Sequence, residues 1–496
     1  MMKRFFLSIL LGGCLLTNLH AVDIRVRDQQ SFDRLDSDLK EALSTSPERV
    51  DVHFAPGVYY YRDRHLYLKE IRAEGTVIAL HGENAVLYPA MERVDRFDPM
   101  SSYFVETPGG LLLVRREDPI RMAGFLVRIV DKENGICRLK VDREVPQEAV
   151  DNAYIYLTEW YRGRTYKIVK TEGKSIYFYV DDLKQRRFLY NVNLDFTFSL
   201  QFPRYRLIHC GLSEPEDGAL CSTATSFLVV DHSQLGGLTC SDLTFIGNRY
   251  DEKRPGAGLI TYDHSVSPGG FSHCFFEGVR SDCFLFFSTN GVVVEDCTFQ
   301  GNYRHCLKTE QDCADIRFCR NSVKDSGLCG DNVYAVFCTG TDFLVQDNEI
   351  ADFGYGGIYT GLYYATDKNH RISGLVSRNE LFQTPAYFAS APDRLLMDSG
   401  AIYIATQNDD VRIEDNYIHD INGPTYNRGI FADDGTSNVT IRRNRIENVK
   451  NHFALDIDPR SAWKMLRRKE RKVNYVHENV VVEDNEVSGR VRVPKK

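Results

Sequence analysis

The sequence predicts an all-β chain: a right-handed parallel β-helix (a solenoid of stacked short strands) with a β-rich module inserted near its N-terminus. Three observations predict it. One short motif recurs along the second half of the chain, an Asn or Cys holds the same place in every copy, and alternating apolar residues flank that place.

The motif is two alternating apolar residues, two polar ones, Asn or Cys, one residue, and another apolar one. It appears at Val292–Phe299, Ile316–Val323, Phe343–Ile350, Val411–Ile418, Val439–Ile446 and Val480–Val487. The marker column, with two weaker copies added, reads Cys274, Cys297, Asn321, Asn348, Asn379, Asn416, Asn444 and Asn485. Its intervals begin at 23, 24 and 27 residues and then widen to 31, 37, 28 and 41, so loops are inserted between the later copies. Period-two apolar residues make strands with one buried face, and so short a unit cannot bury that face alone, so copies stack at ~4.8 Å per rung. Asn suits the turn between strands because it tolerates left-handed backbone and bonds nearby groups, and stacked turns would align the amides in a ladder. The Leu-x-x-Leu-x-Leu and Trp-Asp signals of leucine-rich and propeller repeats are missing.

Along the chain, residues 1–21 read as an export signal, with Lys3 and Arg4, the apolar run Phe5 to Leu11, and Ala21 before the break. The run is too short to span a bilayer, which takes about 20 apolar residues. Cys14 after Leu11-Gly12-Gly13 offers lipidation as a second reading; cleavage after Ala21 is preferred, and either makes the protein secreted or periplasmic. Residues 22–92 hold an N-terminal cap and the first rung: a short helix at Asp36–Leu43, an opening strand and turn at Val50–Tyr59, and the rung at Thr76–Leu87. Between 93 and 222 the repeat vanishes and strands lengthen, as at Gly124–Val130 and Lys174–Val180, marking an inserted β-rich module. The main β-helix fills 223–496, interrupted by a helical insertion near 460–475 that contains the basic run Lys464–Lys472.

The net charge of −8 becomes −10 without Lys3 and Arg4, which disfavours a nucleic-acid binder. No later segment is long and apolar enough to be a transmembrane helix. Of 13 cysteines, nine fall between Cys240 and Cys338 in step with the repeat, the pattern of packed thiols rather than a disulfide framework. No spacing suggests a metal site, and no cofactor is expected.

The chemistry is sought on the strand that precedes each marker. Alternation puts Ile402, Ile404, Ile430 and Leu455 inside, and Tyr403, Ala405, Phe431, Asp433, Asp456 and Asp458 outside. Tyr359 and, further up, Lys308 and Glu310 join the same face. Aromatic rings offer flat apolar surface to sugars, and glycoside hydrolysis uses two carboxylates, one protonating the leaving oxygen and one attacking or activating water.

Two stretches, Asp398-Ser-Gly-Ala-Ile-Tyr403 and Arg428-Gly-Ile-Phe-Ala-Asp-Asp-Gly-Thr-Ser437, resemble the paired signatures of exported β-helix proteins that include glycoside hydrolase family 141. The resemblance covers Gly357 to Asn448. It implies action on fucose- or xylose-containing plant polysaccharides, with Asp398 and either Asp433 or Asp434 catalytic. Phe431-Ala432 stands where relatives carry Tyr-Leu. Strand spacing sets Asp398 about 20 Å from Asp433 unless the loop Leu381–Met397 folds it back, whereas Asp433 with Asp456 or Asp458 needs no rearrangement.

The candidate site is therefore Asp398, Asp433, Asp434 and Asp456 as carboxylates, with Tyr359, Tyr403, Phe431, Arg428 and His419 as substrate-binding residues. Each has a structural alternative: Asp433-Asp434-Gly435 is also a turn sequence, and Tyr403 and Phe431 could simply stack on each other. Arg304, His305 and Lys308 fit a lyase base with a cation, or a structural cluster. His452 is a further isolated histidine, and Asn438-Val-Thr440 matches a glycosylation pattern. The expected partner is a polysaccharide, bound by a monomer; a polysaccharide lyase and a non-catalytic glycan-binding protein are the competing functions.

Overall fold

A computed structural model describes residues 21–90, a set of strands between 92 and 221, and residues 226–493 except 248–257, 280, 303, 311, 328–332, 362–370, 386–399, 406–407, 422–427, 434, 451–452 and 458–476. Residues 1–20 with Cys14, and also Asp398, Asp434, Asp458, His452 and the run Lys464–Lys472, lie outside the described residues.

The chain is a right-handed parallel β-helix with three faces. One face is an 11-stranded parallel sheet that climbs from Leu66–Lys69 through Leu228–Asp231, Gly258–Asp263 and Asp282–Phe287 to Ile402–Ala405, Ile430–Asp433, Phe453–Ile457 and Arg490–Arg492. The other two faces count as one 21-stranded sheet, because the long strands Arg72–Pro89 and Gln234–Ile246 run through both. Those two strands pair in parallel although 93–222 lies between them, and Leu228–Asp231 pairs with Leu66–Lys69 across the same interruption. Within that interruption the strands pair antiparallel, as in the hairpins Tyr103–Thr107 with Gly110–Val114 and Tyr154–Glu159 with Arg162–Glu172. The first rung starts earlier than the sequence suggests. Arg49–Phe54 and Gly57–Tyr61 already stack beneath Arg72–Pro89, and Ala21–Val26 lies beneath Arg49–Phe54.

Inside, apolar side chains form columns. The rings of Phe245, Phe276 and Phe299 stack nearly parallel at 5.0 and 4.9 Å between centroids, and Phe318 follows at 5.5 Å. The N-terminal end is closed by helices Gln29–Asp33 and Leu35–Ser44, which bury Phe32, Leu35, Leu39 and Leu43. Asp28 caps the first helix by accepting the Ser31 N–H, which satisfies one of its free first-turn donors.

The amide ladder is present. From Asn348 upward each Asn side-chain oxygen accepts both the backbone N–H and the side-chain NH₂ of the marker one rung below, from Asn321 on Asn348 (2.9 and 3.2 Å) to Asn444 on Asn485 (3.0 and 2.9 Å). Cys274 and Cys297 continue it downward by donating S–H to the Cys240 and Phe271 carbonyls of the rung below, as the Asn NH₂ groups do. The marker itself is not the left-handed residue. That is the residue before it: Asp296, Arg320, Asp347, Arg378, Asp415, Arg443 and Asp484 all have φ between 52° and 58°. The buried corner needs an amide that bonds along the stack, while the left-handed residue points outward and is chosen by charge. Its sign alternates, and Arg320, Arg378 and Arg443 bond the aspartates one rung below. Asn438 of the glycosylation pattern is another left-handed turn residue, with its amide donating to the Asn408 carbonyl at 2.8 Å.

Asn379→Ala would strand the Asn348 amide groups and the Val345 carbonyl that Asn379 now bonds. At about 1–3 kcal/mol for a buried group left unsatisfied, with partial relief by water, the expected loss is about 2–3 kcal/mol in urea unfolding. A loss within experimental error would mean that the ladder is ornamental.

Candidate active site

The 11-stranded face carries the candidate wall. Strand register stacks Lys308, Phe337, Tyr359, Tyr403, Phe431, Asp456 and Arg492 in one outward column, each one rung from the next. Asp433 stands two residues further along its strand, opposite Ala405. The longer marker intervals add sequence next to this face: residues 362–370 and 458–476 follow its strands along the chain, and 386–399 and 422–427 come shortly before them.

The outward residues are not an open platform. Tyr359, Tyr403 and Phe431 are 1, 2 and 1% exposed, Asp433 is 5% exposed and Asp456 is fully buried. The rings form their own apolar cluster with Tyr334 and Tyr355, outside the β-helix core, and half-buried Phe337 packs at its edge. Phe337 lies flat on Tyr359 at 4.2 Å, Tyr359 on Tyr403 at 5.5 Å, and Phe431 meets Tyr403 edge-on at 5.0 Å. The ring faces that were expected to meet sugar are thus spent on one another. Room for this layer comes from glycine: a Cβ on Gly356 would sit 2.5 Å from a ring carbon of Tyr334.

Asp433 is the carboxylate this wall presents. Its Oδ2 accepts the Tyr403 hydroxyl at 2.9 Å, and its carbonyl accepts the Thr436 N–H and hydroxyl, which tightens the turn that follows. A tyrosine donating to a nearly buried carboxylate fixes that group's rotamer.

Asp456 is occupied differently. Arg428 donates Nε to Oδ2 at 2.6 Å, and Arg492 grips both oxygens at 2.5 and 2.6 Å. Both oxygens of this carboxylate are thus engaged by guanidinium groups, three hydrogen bonds in all. Arg428 is fixed by the same contact, 5% exposed at its side chain, and lies 3.6 Å over the centre of the Phe431 ring. These contacts tie Arg428 to the wall. Sequence reasoning missed Arg492 because the final strand is short and its register against Phe453–Ile457 shifts between Phe453 and Leu455.

His419 is not on this wall. It lies on the strand Tyr417–His419 of another face, stacked on Phe382 and Tyr417, with its ring nitrogens 3.1 Å from Glu380 and 2.8 Å from Asp420. The Arg304, His305 and Lys308 group is structural in its contacts. Arg304 donates to buried Asp282 at 3.0 Å, Lys308 is paired with Glu310, and buried His305 lies 2.8 Å from the Tyr334 carbonyl through Nδ1. Burial works against ionised Asp282, but Arg304 and Lys308 outweigh it and hold its carboxyl below the usual range.

Burial lowers the His305 imidazole to about 3. The unfolded chain therefore takes up a proton near its ordinary value of about 6.5 while the folded chain resists, and stability falls as pH drops from about 6.5 towards 3, by up to about 1.4 kcal/mol per unit. Acid unfolding followed by tyrosine fluorescence should move to lower pH in His305→Gln. An unchanged midpoint would show that imidazole protonation does not govern it.

Comparison with known proteins agrees on architecture. The family described as right-handed β-helix region matches residues 238–373. A glycoside hydrolase of known structure superposes with a TM-score of 0.62 at 12% identity, covering 94% of this chain and 96% of its own. Two further structures align more loosely. The Gp54 tailspike of Acinetobacter baumannii bacteriophage AP22, in complex with A. baumannii capsular saccharide, gives a TM-score of 0.25 at 10% identity over 92% of this chain and 79% of its own. The Yersinia enterocolitica family 28 exopolygalacturonase gives 0.28 at 9% over 95% and 79%. No curated protein matches the sequence.

Proposed function

We propose that this chain is an exported glycoside hydrolase that cleaves a complex polysaccharide of the plant cell-wall kind, with Asp433 as one of its two carboxylates. The observation that carries this reading is Asp433 itself: a nearly buried carboxylate held by the Tyr403 hydroxyl on the face that the sequence insertions adjoin. Its second carboxylate is Asp398, as the signature resemblance implies, since Asp456 is bound by two arginines. One carboxyl protonates the leaving glycosidic oxygen while the other attacks the anomeric carbon or activates a water. The superposition on a glycoside hydrolase supports a shared scaffold. The protein works as a monomer outside the cytoplasm, released after Ala21.

A lyase would need a free base and a cation for the uronate carboxylate. His305 is buried against a carbonyl, and Arg304 and Lys308 are already paired, which disfavours that reading. The test is incubation of the purified chain with a panel of fucose- and xylose-containing polysaccharides. Hydrolysis yields reducing ends with no new ultraviolet absorbance, and a lyase would yield unsaturated, absorbing products. Binding to a polymer with no product of either kind would replace the enzyme by a glycan-binding protein.

A further inference from the structure

At the turn that leaves the 11-stranded face, two successive rungs carry the same sequence, Asp231-His-Ser233 and Asp263-His-Ser265. Asp231 and Asp263 are register partners, so the histidines stack one rung apart. Both adopt left-handed backbone, with φ of 48° and 47°, which is uncommon for a residue other than glycine. Their rings lie nearly parallel at 13°, with centroids 5.0 Å apart, and about half of each side chain is exposed. Each Nδ1 lies against the carboxylate of the preceding aspartate, at 2.6 Å for His232 and 2.5 Å for His264, and the Tyr67 hydroxyl donates to the same Asp231.

From this geometry we infer that His232 and His264 form a binding site for a divalent transition-metal ion such as Zn²⁺. A carboxylate accepts only, so each Nδ1 is the donor of its pair, and Nε2 is the nitrogen that each ring has left for a metal. Carboxylates behind imidazoles in this way orient them and make them better metal ligands. Two imidazoles suit zinc, copper or nickel and not the oxygen-seeking magnesium or calcium. With nitrogen–zinc bonds of about 2.0–2.1 Å a tetrahedral ion sets its two nitrogens roughly 3.3 Å apart, so the tips of rings stacked at 5.0 Å must tilt together by roughly 1.7 Å, a movement open to half-exposed side chains. Among the described residues no cluster of three His, Cys, Asp or Glu ligands exists, so water completes the coordination. The ion would tie together the two rungs that follow the inserted segment.

A second stacked pair, His53 and His81, lies at 5.1 Å but is built the other way round. There Nε2 of His81 meets Asp51 at 3.0 Å and Nε2 of His53 lies 3.8 Å from Asp23. This pair is an internal control.

Isothermal titration of the full chain with zinc chloride alone, and separately with magnesium chloride, tests the site. His232→Asn and His264→Asn keep a residue that tolerates left-handed backbone. The expected result is one Zn²⁺ per chain, at least tenfold weaker in either variant, unchanged in His53→Asn, no magnesium binding, and a Tm that rises with zinc only when both histidines are present. No zinc binding, equal binding in the His232 and His264 variants, or a loss that follows His53 would each overturn the inference, and none would bear on the hydrolase reading.

Discussion

With Asn in place of Asp433, turnover is expected to fall by about 10³-fold, inside the 10²–10⁴ range that proton transfer by a positioned side chain contributes. The substitution is nearly isosteric, and its carbonyl oxygen can still accept the Tyr403 hydroxyl that Asp433 accepts at 2.9 Å. What disappears is the charge and the capacity to hold or release a proton. Because the group acts in the transition state, kcat should fall with little change in KM, and the circular dichroism spectrum and Tm should stay at wild-type values. Asp398→Asn, assayed beside it, identifies the partner: equal loss pairs the two, and survival hands the role to Asp434. If Asp433→Asn retains activity within a few-fold, the residue is only a hydrogen-bond acceptor for Tyr403, and the catalytic reading of this wall fails.

Asp456→Ala is expected to cost about 3–5 kcal/mol of stability, the usual penalty for removing one partner of a buried ion pair. The two arginines it leaves differ. Arg492 is 16% exposed and can turn to water, but Arg428 is 5% exposed and cannot. The loss then spreads along the wall. Arg428 lies over Phe431, Phe431 packs on Tyr403, and Tyr403 holds Asp433, so the variant should lose activity as well as stability. Urea unfolding measures the first and product release the second. A stability change below about 1 kcal/mol would place the pair among surface bridges of negligible worth. Arg492→Ala should be milder than Arg428→Ala, because Arg428 is the more deeply buried of the two, at 5% against 16% exposed, and its removal also takes the guanidinium from over the Phe431 ring.

Much of the fold was legible because a solenoid writes its architecture locally. The columns Ile402–Ile430–Leu455 and Tyr403–Phe431–Asp456 follow from period-two alternation and the spacing of the markers, and both are present. The Asn column follows for the same reason: an amide one rung away from an identical amide has a partner whatever else the protein does. Which residue takes the left-handed turn did not follow, since Asp-Asn and Arg-Asn pairs both offer one tolerant residue, and only the direction of the amide decides between them.

The site was less legible. Alternation could say that Asp433 and Asp456 both face outward, but not that Asp456 would be caught between Arg428 and a residue of the final rung. That same alternation could put three aromatic rings on one wall, yet it counts as exposed every residue that points away from the core. Here a second apolar layer buries them. His419 looked like a neighbour of the site in sequence and stands on another face, while His232 and His264 look unrelated in sequence and stack at 5.0 Å.

The sequence by itself determined the rung, its three strands, the inward residues and the amide ladder, because each depends on contacts between equivalent positions of neighbouring repeats. Only the tertiary structure decided which outward groups are free to react, because that depends on what covers a face and which charge reaches across it, and those contacts join residues that no period relates.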